Sequence, residues 1–138
     1  MSIANYSTDV PVSRTLGHVM GMLAAAGASS ITQHVGEDKA IIGIDFAIQT
    51  ESGWQGYRMP VRIDAVHAVL RADRLPPRQQ TREHAARVAW RIAHDWLRAQ
   101  IALIEADMAS LPEVMFPYAR LGDGQTAFET FQQRQLER

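Results

Sequence analysis

The chain has 138 residues, no cysteine and a formal net charge of −1, with 46% hydrophobic and 21% charged residues. That length suits one domain with a real core, and the composition is that of a globular protein. No window approaches the run of about 18 apolar residues that a membrane helix needs, no basic-then-apolar leader opens the chain, and the lack of cysteine excludes disulfides and thiolate metal sites; a cytoplasmic protein with no membrane partner is expected.

Residues 1–12 read as extended, because Pro11 drives its predecessor toward β or polyproline geometry. Ser13 is placed as the N-cap of a helix running to about Ala26, with Leu16, Val19, Met20 and Leu23 on one side. Gly17 and Gly21 lie four apart on it, which predicts close approach of another backbone, and Gly27 is placed as its stop. Three strands follow: Ser29–Val35, Lys39–Thr50 and Trp54–Met59. In the second, Ile42, Ile44, Phe46 and Ile48 alternate with smaller or polar residues. The turns Gly36-Glu37-Asp38 and Glu51-Ser52-Gly53 are short, which predicts an antiparallel meander. Ile63–Ala72 is a short helix. Leu75-Pro76-Pro77 breaks the chain, and Arg78–Ser110 reads as the longest helix, closed by Leu111-Pro112. Glu113–Tyr118 is an apolar connector, and the Thr126–Glu129 capping-box spacing starts a last helix to about Leu136. The fold expected over residues 1–138 is therefore a single α+β domain. It is a three-stranded antiparallel meander flanked by an N-terminal helix and a long C-terminal helix, with a short last helix and frayed ends at about 1–8 and 132–138.

Charge is unevenly spread. Residues 71–98 hold seven arginines against three acids, while 1–70 and 99–138 are net acidic, and Lys39 is the only lysine. On the long helix Arg87, Arg91, His94 and Arg98 follow spacings of four, three and four, so they form one ridge. Arginine recognises phosphate with a flat, forked donor set, so the ridge, with Arg78 and Arg82, is the leading nucleic-acid-binding candidate. The plainer reading is a solvated face in which Asp95 pairs with Arg91 and Arg98. Behind the ridge a wide apolar arc holds Trp90 and Trp96, which calls for a central position or a second packing surface.

Trp54, Tyr57 and Arg58 on the third strand form a second candidate, since aromatic and basic residues together can stack bases. Trp54 and Tyr57 fall on opposite faces of an ideal strand, which favours core aromatics instead. The five histidines show no HxxxH, HxH or HExxH pattern, so no metal site, cofactor or catalytic residue is expected. A metal-dependent nuclease would have to draw on Asp45 with Glu37 or Glu51, which no spacing joins.

Val10-Pro11 with Thr15, Ala26-Gly27-Ala28, Met59-Pro60-Val61, Val88-Ala89-Trp90-Arg91-Ile92, Asp95-Trp96, Ile104-Glu105-Ala106 and Phe116-Pro117-Tyr118 together resemble small uncharacterised proteins of bacteriophages and prophage-like elements. The resemblance spans about Val10 to Tyr118 and implies a fold, with host-cell cytoplasm as the setting. The helix–strands–helix order is also similar in layout to single-strand annealing proteins. The function expected is a non-enzymatic accessory protein, homo-oligomeric, that binds DNA or RNA through its arginine-rich helix. The alternative is a module that binds a host protein through an apolar helix face or sheet edge, and a nuclease comes last.

Overall fold

The computed structural model describes residues 2–137. Helix α1 (Val12–Ala25) begins two residues earlier than Ser13 capping would give: Pro11 stands at the N-cap with no side-chain cap. Its carbonyl accepts from the amides of Arg14 and Thr15, so proline's preset extended geometry replaces the serine cap. The helix ends as Gly27 predicts. Gly27 adopts φ +106, and the Ala28 amide closes on the Leu23 carbonyl. This is a glycine-terminated C-cap with both flanking apolar side chains buried. The glycine pair behaves otherwise. Gly17 and Gly21 are exposed and face open space, so no backbone of this chain approaches them.

Strands β1 (Ser29–Val35), β2 (Ile41–Thr50) and β3 (Gly53–Pro60) form one antiparallel sheet in the order β1-β2-β3. The β2–β3 ladder is unbroken from Gly43↔Pro60 to Thr50↔Gly53, whereas the β1–β2 register shifts twice. A Cβ on Gly43 would sit 2.9 Å from the Met59 carbonyl oxygen, so only glycine fits at that point of the ladder. Ile44, Phe46, Ile48, Tyr57 and Met59 point to the buried face. Asp45, Gln49, Trp54 and Arg58 take the other, as the period of two requires.

Helix α2 (Ile63–Ala72) and helix α3 (Arg82–Glu105) complete the core. Trp90 is fully buried at the centre of α3, and its indole N–H donates to the Ile41 carbonyl at 3.0 Å. One side chain therefore supplies apolar area and locks α3 to the start of β2.

The long helix is shorter than its apolar pattern suggests, at both ends. Residues Pro77–Gln79 form a 3-10 turn, and Thr81 caps α3 by accepting from the His84 amide. At the far end Asp107 takes φ +63, and the Met108 amide returns to the Leu103 carbonyl. This is the same closure that ends α1, made without glycine. Ser110 then starts helix α4 (Leu111–Met115) through a reciprocal capping box with Glu113, and a 3-10 turn, Phe116–Tyr118, follows. The apolar connector expected at Glu113–Tyr118 is thus built from the end of α4 and that turn. Ala119 and Arg120 then run antiparallel along β3, with the Arg120 amide donating to the Gly56 carbonyl at 2.8 Å. Helix α5 (Ala127–Leu136) starts at the Thr126–Glu129 capping box and buries no residue fully. Among the described residues, no helix is long and apolar enough to cross a membrane.

Candidate functional site

The ridge side of α3 carries more than its own residues. The N-terminal segment turns at residues 4–7 and lies against it, with Ile3 and Tyr6 packed on the core. The Asn5 amide donates to Asp95 Oδ2 at 2.9 Å, and the His84 ring bonds the Tyr6 carbonyl. Asp95 Oδ1 is also 3.0 Å from His94 Nδ1. The Asn5 amide, then His94, then more weakly the charge of Arg91 hold the Asp95 carboxyl below the usual carboxylate range. The acid best spaced to neutralise the ridge is therefore turned toward the N-terminal segment and His94. It makes no ion pair with Arg91 or Arg98.

The nine candidate residues separate into distinct environments. Arg78, Arg87, Arg91 and Arg98 have no carboxylate within ion-pair distance among the described residues. Arg78 and Arg98 are exposed, while Arg87 and Arg91 are half-buried. Arg87 Nη2 donates to His84 Nδ1 at 3.3 Å, and Arg87 Nε is buried without a partner. His94 is buried rather than displayed: it sits between α3 and α1, its ring 5.9 Å from that of His18. His94 is thus the residue of the ridge that a ligand does not reach.

Arg82 and Arg58 are committed elsewhere. Arg82 bridges Asp38, at 2.7 Å, and Asp64, which joins the β1–β2 turn to α2. The Arg82 contact, then the Ala40 amide, lowers the Asp38 carboxyl. Arg58 forms a forked pair with Asp45, its direct cross-strand neighbour, at 2.7 and 2.8 Å. That contact lowers Asp45 and raises Arg58.

The aromatic candidates do not form a platform. Tyr57 is only 4% exposed and stacks on Phe46, with ring centroids 5.5 Å apart, so no base reaches it; burial also pushes its phenol up. Trp54 is 63% exposed on the opposite face of the sheet. The acids of the nuclease reading do not gather either. Asp45 is held by Arg58, and Glu37 and Glu51 lie in turns at opposite ends of β2. Among the described residues, no group of three or more His, Asp or Glu side chains is placed to hold a metal ion.

Two features were not legible beforehand. One is a cleft of ≈ 270 Å³ lined by Ser7, Asp9, Arg78, Gln79, His84 and Arg87, all polar. Its walls come from residues 7–9 and 78–87, far apart in the chain, so no local spacing signals it. The other is an apolar groove of ≈ 320 Å³ between α2, α3 and the end of β3. There Trp96 and Tyr118 meet edge to face at 6.1 Å, beside Val66, Ile92 and Ala93. The wide apolar arc of α3 pointed to such a surface without placing it. No protein-family model, no curated protein and no solved structure matches this chain, so its functional reading stands on its own residues.

Proposed function

We propose that the protein is a non-enzymatic nucleic-acid-binding protein that grips backbone phosphates through Arg78, Arg87, Arg91 and Arg98. One observation carries the reading: none of the four has a carboxylate within ion-pair distance among the described residues, and Asp95, the acid spaced to reach Arg91 and Arg98, is engaged by Asn5 and His94. Unpaired guanidinium groups along one side of α3, with Arg78 just before its start, suit a polyanion, whose phosphates repeat along a line. Nothing in the group reads base edges, so positioning on the backbone is the role it fits. Such a role suits a small accessory protein of a bacteriophage or other mobile element.

Fluorescence anisotropy with a labelled single strand and a labelled duplex, between about 50 and 200 mM salt, tests this. Binding should weaken steeply with salt, and Arg91→Ala with Arg98→Ala should flatten the slope by about two charges. Absence of binding at the lowest salt overturns the reading. A second reading, docking of a protein partner, has its own support in the Trp96–Tyr118 groove and in the nearby exposed Phe116. It predicts a partner whose capture is lost with Trp96→Ala and kept when the arginines are removed.

A further inference from the structure

We infer that the polar cleft between the N-terminal segment and the start of α3 is a phosphate site, which takes the terminal phosphate of a nucleic-acid strand lying along the ridge. The inference rests on the nucleic-acid reading above and adds to it a place where the strand ends.

The cleft has the chemistry for an oxyanion. Arg78 and Arg87 outweigh the single acid, Asp9, and Ser7 and Gln79 add neutral hydrogen-bonding groups. Arg87 is held ready. The Tyr6 carbonyl can only accept, so His84 Nε2 carries the ring proton and Nδ1 accepts from Arg87 Nη2. That bond fixes the guanidinium, and Arg87 makes no other hydrogen bond among the described residues, so most of its fork is unspent. Its Nε is buried and has no partner among the described residues, so a ligand in the cleft meets the terminal Nη groups.

Recess decides which phosphate fits. Arg98 is exposed and meets an internal phosphodiester at the surface, whereas Arg87 lies half-buried behind Ser7 and Asp9. Two arginines from two elements converge on that cleft, which suits a group that projects from the end of a strand with three free oxygens. Asp9 is exposed on the cleft wall and repels that dianion, so it sets how tightly the site holds.

The experiment compares three labelled strands of about ten nucleotides, one with a 5′-phosphate, one with a 3′-phosphate and one with hydroxyls at both ends. One terminally phosphorylated strand should bind about tenfold tighter than the hydroxyl strand at low salt. Arg78→Ala, at an exposed position, should erase that preference and weaken the hydroxyl strand only by the one phosphate contact that Arg78 gives it, Arg91 and Arg98 remaining. Asp9→Asn should widen the preference by about threefold. In parallel, inorganic phosphate should shift the Arg87 Nε–H signal in a nitrogen–proton spectrum of the folded protein. Equal affinity for all three strands with no phosphate shift at Arg87 overturns the inference and leaves the ridge reading intact. Failure of every strand to bind, with the Arg87 shift retained, removes the ridge reading and supports the cleft as a site for a free phosphomonoester.

Discussion

Two groups of arginines in this molecule carry the same charge and end in opposite states. On the outer sheet face and beside α2, Arg58 and Arg82 meet carboxylates from other elements: Asp45 across the β2–β3 ladder, and Asp38 and Asp64 from the β1–β2 turn and α2. On the flank of α3, Arg91 and Arg98 stand four and three residues from Asp95 and do not receive it, because Asn5 and His94 take it first. Helical spacing offers a partner at a few tenths of a kcal/mol. A fixed amide donor or a forked cross-strand guanidinium outbids that weak preference. Whether an arginine is available thus depends on what its neighbouring acid touches, not on the count of charges.

The largest expected effect tests the frame that holds both groups in place. Trp90→Ala should cost about 3–5 kcal/mol in chemical denaturation, since it empties a fully buried site and frees the Ile41 carbonyl. A loss below about 1 kcal/mol would show that α3 is not anchored to β2 in this way.

Next comes the contrast itself. Arg91→Ala with Arg98→Ala should weaken binding to a single strand by at least about tenfold at low salt, whereas Arg58→Ala should leave binding unchanged. Equal losses from both changes would erase the distinction between paired and unpaired arginines.

The paired group should speak through stability instead. Asp45→Asn should cost about 1 kcal/mol at neutral pH by leaving Arg58 half-buried without its partner. The sign with pH follows from the lowered Asp45 carboxyl: the folded form holds its proton less tightly than the unfolded chain does. Its contribution is therefore complete above the unfolded pKa of about 3.9 and fades as pH falls through the lower folded value. Denaturation midpoints of the parent chain and Asp45→Asn should converge in acid, and a gap that stays constant with pH would refute the pairing as its cause.

The smallest effect is the most pointed. Asn5→Ala releases one oxygen of Asp95 toward Arg91 and should lower strand affinity by only about two- to threefold. Unchanged or tighter binding would mean that Asn5 does not keep the ridge free.

Local rules carried much of the architecture. The alternation through Ile42, Ile44, Phe46 and Ile48 gave β2, Gly27 gave the stop of α1, and Thr126 with Glu129 gave the start of α5. The end of α3 was hidden because Asp107 enters the left-handed region without being glycine. The Ser110–Glu113 box then falls where Leu111-Pro112 reads as the end of that same helix. The ridge was legible from its spacing. Its status was not, because Asn5–Asp95, Tyr6–His84 and Arg82–Asp38 join residues 90, 78 and 44 apart, where no local preference operates. His94 misled for the same reason: periodicity places a residue on a side of its helix but cannot show that α1 covers it.

Those separations have a consequence for the order in which the molecule assembles. The turn at residues 4–7 is made well before its anchors, His84 and Asp95. Closing a loop of that length costs about 4 kcal/mol in chain entropy, more than two hydrogen bonds return at about 1 kcal/mol each. The segment therefore docks only after the sheet and α3 have already shortened the path between them. Until then the arginine flank is bare. Kinetically, the contact belongs to the native side of the barrier, so its removal should speed unfolding and leave the refolding rate untouched.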